Sequence, residues 1–190
     1  MIGRTINSPG ITIRTEHCIT NGVAQVFAQN STFVSGFIGN IYSSNNAAVY
    51  FTDSISSNVF DISALCTSFG GFVGAVALCS KMTITMSGCE SHSSSQINVG
   101  LCTESFAGGM IGLFTNNPTG SIVVNDLVMN DNFNITSQGS FALAGLLSCA
   151  AASRDLSISV KNSTNRGSFA VQVLGENTLD CSGFIGVIVR

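Results

Sequence analysis

Charge is what this sequence is short of. Only 9% of its 190 residues are Asp, Glu, Lys or Arg, against roughly 25% in ordinary soluble domains. Few charges leave little electrostatic steering of partners. Disorder is not the reason, because disordered chains are poor in apolar residues and this one is 45% hydrophobic with a mean hydropathy of +0.42. Basic residues are scarce and unclustered: seven Lys and Arg in a chain of net charge −3. Nucleic acid is excluded as a partner on that ground, since binding it requires a basic patch that releases counterions from phosphate.

Long apolar runs are missing too. The longest, Phe69 to Cys79 and Phe141 to Ala152, are diluted by Gly, Ala and Ser and fall short of the ~20 residues that span a bilayer. No membrane span is expected in this segment. Met1-Ile2-Gly3-Arg4-Thr5 has no basic region followed by an apolar one, so no secretory signal is visible. No stretch carries a 3.6-residue periodicity long enough for a good helix. Cys18, Cys66, Cys79, Cys89, Cys102, Cys149 and Cys181 include no C-x-x-C pair, which argues against a metal site, and their odd number forbids complete internal pairing. A buried Cys serves more often as a small apolar filler than as a bridge or nucleophile.

What is present is repetition. A glycine-framed apolar tetrad recurs as Gly36-Phe37-Ile38-Gly39, Gly71-Phe72-Val73-Gly74, Gly109-Met110-Ile111-Gly112 and Gly183-Phe184-Ile185-Gly186. Ala142-Leu143-Ala144-Gly145 reads as a degraded copy. With Gly145 aligned on Gly39, Gly74, Gly112 and Gly186, the spacing is about 33 to 41 residues, a repeat signature to be read before anything local.

Each unit carries more than its tetrad. After a polar turn comes an alternating run such as Met82-Thr83-Ile84-Thr85-Met86 or Leu156-Ser157-Ile158-Ser159-Val160, a period-two strand pattern. A second strand follows, as in Val59-Phe60-Asp61-Ile62 or Phe133-Asn134-Ile135. The tetrad with its flanks makes the third. Three short strands per coil and about five coils predict an all-β solenoid, because one coil cannot bury its inward residues alone while stacked coils bury them in ladders about 4.8 Å apart. The chain is read as one segment, with repeats at about 1–46, 47–80, 81–120, 121–153 and 154–190. Glycine is expected where the backbone corners with φ > 0 or where coils approach too closely for a Cβ.

The ends echo the interior. Met1-Ile2-Gly3 through Ile13 parallels Met110-Ile111-Gly112 through Ile122, and the chain stops just after Gly186. Neither end shows a polar cap of the kind solenoids need. The expected partners are therefore neighbouring coils or further copies of the chain.

Gly70-Gly71-Phe72-Val73-Gly74 and Gly108-Gly109-Met110-Ile111-Gly112, each trailed by a turn and an Ile-x-Ile or Ile-Val-Val strand, resemble the GLUG-type glycine and aliphatic repeats of large surface and adhesin-like proteins. They are also similar to the glycine-rich units of polymorphic-membrane-protein-like surface β-helices. Here Phe or Met replaces the usual leucine, and the units are longer than usual. The resemblance implies a right-handed parallel β-helix, an extracellular or cell-surface location, and no enzymatic activity.

No constellation carries chemistry. Carbohydrate cleavage needs two carboxylates at a defined separation, and Asp53, Asp61, Asp126, Asp131, Asp155 and Asp180 are scattered over turns and units. Asp126 and Asp131 read as solvated turn carboxylates, and Asn125-Asp126 with Asn130-Asp131-Asn132 make a poor calcium loop. His17 and His92 are expected in equivalent turns, exposed and a whole coil apart. No Gly-x-Ser-x-Gly is present, and no cofactor is implied. Asn30, Asn134 and Asn162 open N-glycosylation sequons. Cys66 and Cys102, each just before a tetrad, are a candidate disulfide. Cys18 with Cys89, and Cys79 with Cys149, are expected at equivalent positions two units apart and unbridged.

The sequence thus predicts a structural or surface-display β-solenoid, part of a longer array or an end-to-end filament. The alternative is an adhesin-like module that recognises glycan or host protein through its polar turns, with Tyr42 and Tyr50 beside polar groups in a groove.

Overall fold

A computed structural model describes residues 2–30, 32–101, 104–153, 155–174 and 179–189. Those residues form strands and turns without helix, and every strand pairing is parallel to the strand one winding away. The chain is a β-solenoid of about five turns.

Four sheets run its length. Sheet A contains Ile2–Ile6, Ile38–Tyr42, Val73–Ala77, Ile111–Thr115, Leu147–Ala151 and Ile185–Val189; sheet B contains Thr12–Glu16, Ala48–Thr52, Met82–Ser87, Thr119–Asn125 and Asp155–Lys161. Sheet C is built on Ile19–Ala28, Ile55–Ala64, Ser94–Val99, Asn132–Ser137 and Ser168–Val173, and sheet D on Thr32–Ser35, Thr67–Gly70, Glu104–Gly108, Ser140–Ala144 and Leu179–Ser182. The third predicted strand of each unit is therefore two strands. The tetrad breaks it, ending sheet D and opening sheet A.

The break explains the glycines. Sheets B and C alternate buried and half-exposed residues, as in Met82–Ser87, but Thr67–Gly70 of sheet D is buried at every position and Val73–Ala77 of sheet A at all but the last. Both faces of D and A are covered, because their outer faces close on each other across the tetrad: Ser68 Oγ donates to Gly74 O at 2.7 Å, and Ser148 Oγ to Ala142 O at 2.6 Å. On the inside, Gly36, Gly71, Gly109 and Gly145 meet sheet C. A Cβ on Gly71 would run into the Gly109 carbonyl and lie 2.7 Å from Ser91 Oγ; one on Gly36 would lie 2.6 Å from Ser56 Oγ. None of Gly36, Gly39, Gly71, Gly74, Gly109, Gly112, Gly145, Gly183 and Gly186 has a positive φ. Close approach, not cornering, requires glycine at all of them but Gly183, where a Cβ would meet nothing within 4 Å.

The fourth tetrad is displaced from its predicted place. Gly108 pairs with Ala144 and Ile111 with Leu147, so Gly145 continues the file of first glycines, Gly36, Gly71, Gly109 and Gly183. The copy is Gly145-Leu146-Leu147-Ser148, with Ser148 in the last glycine's place. Successive windings are then about 35 to 38 residues apart, a more even repeat.

The corners use other residues. The position after each of the first five A strands, held by Asn7, Ser43, Leu78, Asn116 and Ala152, has φ between 48° and 57°. The position after each B strand, held by His17, Asp53, Gly88, Asp126 and Asn162, has φ between 45° and 62°. Each of these residues enters the left-handed region, where Asn, Asp and Gly are least disfavoured, and the first three turns from sheet A to sheet B place a second residue there, Gly10, Asn46 and Lys81.

The tetrad pinches each winding into two lobes. Between sheets A and B a core stacks Phe37, Phe72 and Met110 with Ile84, Phe51 and Phe114; between C and D a second stacks Phe60, Phe69, Phe133 and Phe141 with Ile62 and Ile97. Rings stack along the axis, Phe37 on Phe72 at 4.7 Å and Phe133 on Phe169 at 5.5 Å between centroids.

Candidate functional site

Two regions stand apart from plain apolar packing: an outer trough on sheet C and a buried polar line at the waist. In sheet C, alternation sends Phe60, Ile62, Ile97, Phe133 and Ile135 inward, which turns the intervening residues outward. Val59, Ser94, Asn132 and Ser168 form one outer file, and Asp61, Gln96, Asn134 and Ala170 the next. Together they line a shallow trough of about 680 Å³. Its polar groups bond from winding to winding: Asn134 Nδ2 donates to Gln96 Oε1 at 2.8 Å, Ser168 Oγ to Asn132 Oδ1 at 2.6 Å, and Gln25 Nε2 to Asp61 Oδ2 at 3.4 Å. Such a surface offers amide and hydroxyl groups at the repeat of the rungs, with one carboxylate. It has no paired acids and no nucleophile beside a base.

The waist is the polar counterpart inside. Asn58 Nδ2 donates to Thr20 Oγ1 at 2.9 Å and to Ser56 Oγ at 3.0 Å, and Ser56 Oγ donates to Gly71 O at 2.9 Å. In the following windings Ser91 Oγ reaches Gly109 O at 3.2 Å and Asn165 Nδ2 reaches Gly183 O at 2.7 Å. Each satisfies a glycine carbonyl that the pinch draws away from water.

Asp131 lies on this line and is 1% exposed. That corrects its reading as a solvated turn carboxylate: it occupies the file of Asn58, Ser93 and Gly167, which points inward. Its Oδ1 accepts from Ser91 Oγ at 2.7 Å and from the Ser93 amide at 2.8 Å. Burial pushes its pKa up to about 6, against the lowering effect of the Ser91 and Ser93 hydrogen bonds and the nearby His92. Asp53, Asp126, Asp155 and Asp180 are exposed.

The histidines are not in equivalent turns. His17 takes the left-handed corner ahead of Ile19, with Nδ1 3.8 Å from Asp53 Oδ2. His92 follows Ser91 and aligns with Ser57 and Asn130, its ring nitrogens 2.7 Å from Glu90 Oε2 and 3.2 Å from Asn130 Nδ2. Among the described residues no three His, Cys, Asp or Glu side chains group as metal ligands, and no helix is long and apolar enough to cross a membrane.

The cysteines have a role that spacing did not reveal. Cys79 aligns with Ser8, Ser44, Asn117 and Ser153, one residue past the corner after sheet A. Its thiol points to the Ala77 carbonyl at 3.3 Å, as Ser44 Oγ does to Tyr42 O and Ser153 Oγ to Ala151 O, both at 3.1 Å. Cys18 and Cys89 take the same place past the next corner, one rung either side of Ser54, whose hydroxyl bonds Thr52 O at 2.9 Å. Cys149 is not equivalent to Cys79; it pairs with Leu113 inside sheet A. Burial raises the pKa of both Cys79 and Cys89. Cys102 lies outside the described residues, so the Cys66–Cys102 bridge does too.

Asn30, Asn134 and Asn162 are all exposed, Asn134 on the trough and Asn162 at a corner; Ser31 of the first sequon lies outside the described residues. Tyr42 and Tyr50 are away from the trough, beneath the guanidinium groups of Arg4 at 5.4 Å and Arg14 at 4.6 Å. No family model, no curated protein and no solved structure matches the chain.

Proposed function

We propose that this chain is a structural, non-catalytic β-solenoid segment of a cell-surface or extracellular assembly, lengthened by further windings or copies of itself on its open ends. The observation that carries the reading is the backbone edge at each end. Ile2–Ile6 and Ile185–Val189 of sheet A, like the first and last strands of sheets B and D, each pair on one side only among the described residues. Such edges are templates for another parallel strand. Beside them the inward residues of the first rung, Ala24, Val26 and Ala28, are only partly covered, and Ile19, Val23 and Phe27 are 64%, 78% and 73% exposed. Electron micrographs of concentrated protein test this. Rods longer than one subunit, lost when Val26 is replaced by Lys, are expected; particles that stay single at every concentration contradict it.

A second reading is an adhesin-like module that binds glycan or a host protein. The sheet C trough favours it, because hydroxyl and amide groups on a rigid face are a suitable surface for a polar chain. The strand face, rather than the turns, is then the binding surface. Binding on a glycan array that is lost with Asn134→Ala and Asp61→Ala together supports it.

A further inference from the structure

One rung of the waist breaks the pattern. Ser56, Ser91 and Asn165 each give a hydrogen bond to the carbonyl of the tetrad glycine that follows half a winding later, Gly71, Gly109 and Gly183. The residue in their file facing Gly145 is Met129, paired with Ser91 on one side and Asn165 on the other. Methionine has no proton to give.

The donor's place is taken by another group. At three tetrads a Cβ built on the first glycine meets the next winding's glycine carbonyl and the atom that donates to it: Gly71 O and Ser56 Oγ at Gly36, Gly109 O and Ser91 Oγ at Gly71, Gly183 O and Asn165 Nδ2 at Gly145. At Gly109 the two atoms are Gly145 O and Asp131 Oδ2. This oxygen is buried and has no hydrogen-bond partner if the carboxyl is ionised. Two acceptors facing each other in a dry site repel, and one proton between them makes a bond.

We propose that in mildly acidic solution the folded chain holds a proton on Asp131 and that its Oδ2–H donates to the Gly145 carbonyl, making this waist a latch that closes on a proton. The proton comes from solvent and returns to it. Above the titration range the site holds a carboxylate against a carbonyl, and the latch opens. The direction of the Asp131 pKa agrees. Glu90 and His92 flank it from the preceding winding and Arg166 from the following one, all toward the outer face, while Gly109 and Gly145 on the tetrad side bring no charge. His92 alone among them draws Asp131 toward ionisation.

The test is the pH titration of the Asp131 carboxyl carbon by NMR in the intact chain. A midpoint near 6 is expected in the wild type, and one near 4, the ordinary value, overturns the proposal. Met129→Asn restores a donor in the place Asn165 holds one winding on, and the midpoint is then expected to fall; an unchanged midpoint also overturns it. Asp131→Asn supplies a permanent donor. Its unfolding constant should lose the wild type's dependence on pH, which amounts to a change on the order of 100-fold between pH 4 and pH 7. Matching pH profiles for wild type and Asp131→Asn count against the latch.

Discussion

Phe37 and Phe72 lie on successive windings with ring centroids 4.7 Å apart and planes 23° apart, and Phe51 meets Phe72 edge-on at 5.0 Å. Phe72 has no exposed surface. Its file continues through Met110 and Leu146, so the second tetrad position is a ladder of large apolar groups within the A–B lobe.

Truncating that ladder leaves a cavity the stacked backbone cannot collapse. Phe72→Ala is expected to cost about 3 to 5 kcal/mol, and Phe72→Met distinctly less, since methionine stands in the next rung at Met110. Urea unfolding of the two variants checks the order.

The glycines of the chain separate into those pressed by a neighbouring winding and those that are not. Gly71→Ala drives a methyl group into the Gly109 carbonyl, while a Cβ at Gly22 meets nothing within 4 Å. Gly71→Ala is expected to cost at least about 3 kcal/mol, because backbone cannot yield as a side chain can. Gly22→Ala should be neutral or slightly stabilising through the unfolded chain. Paired thermal melts decide it, and equal melting temperatures contradict the crowded waist.

Cysteine chemistry should follow the corner files. Cys18 is exposed, whereas Cys79 and Cys89 are fully buried with thiols pushed to higher pKa by desolvation. An alkylating reagent at pH 8 is expected to label Cys18 quickly, and Cys79 and Cys89 only on unfolding. Cys79→Ser should be well tolerated, since Ser44 and Ser153 make the same bond to a carbonyl two residues back. Mass spectrometry of the labelled peptides and a melt of the variant report both.

The stacking was legible because it is written in period-two alternation and in the recurrence of the tetrad: Ile84, Ile122 and Val49 stand in one ladder as the pattern implies. The echo of Ile2-Gly3 with Ile111-Gly112 also holds, through Ile38 and Val73. What stayed hidden depended on neighbours in space. Ser148 replaces a glycine at a place where its hydroxyl bonds Ala142 O, and that exchange shifted the fourth tetrad by three residues and with it the expected match of Cys79 to Cys149. Asp131 sits in a run of Asn and Asp that reads as a turn, and only the pinch turns it inward. The corner files were discernible in principle: Asn7, Asn116, Asp53, Asp126 and Asn162 mark them, but Leu78 and Ala152 blur the signal.

Windings stack in parallel, one over the next, in a single register. Backbone NOEs at Thr85 test that stacking. Contacts to Tyr50 on one side and Val123 on the other are expected, the pairs that sheet B places together. Contacts from Thr85 to antiparallel partners nearby in sequence, with none to Tyr50 or Val123, contradict it.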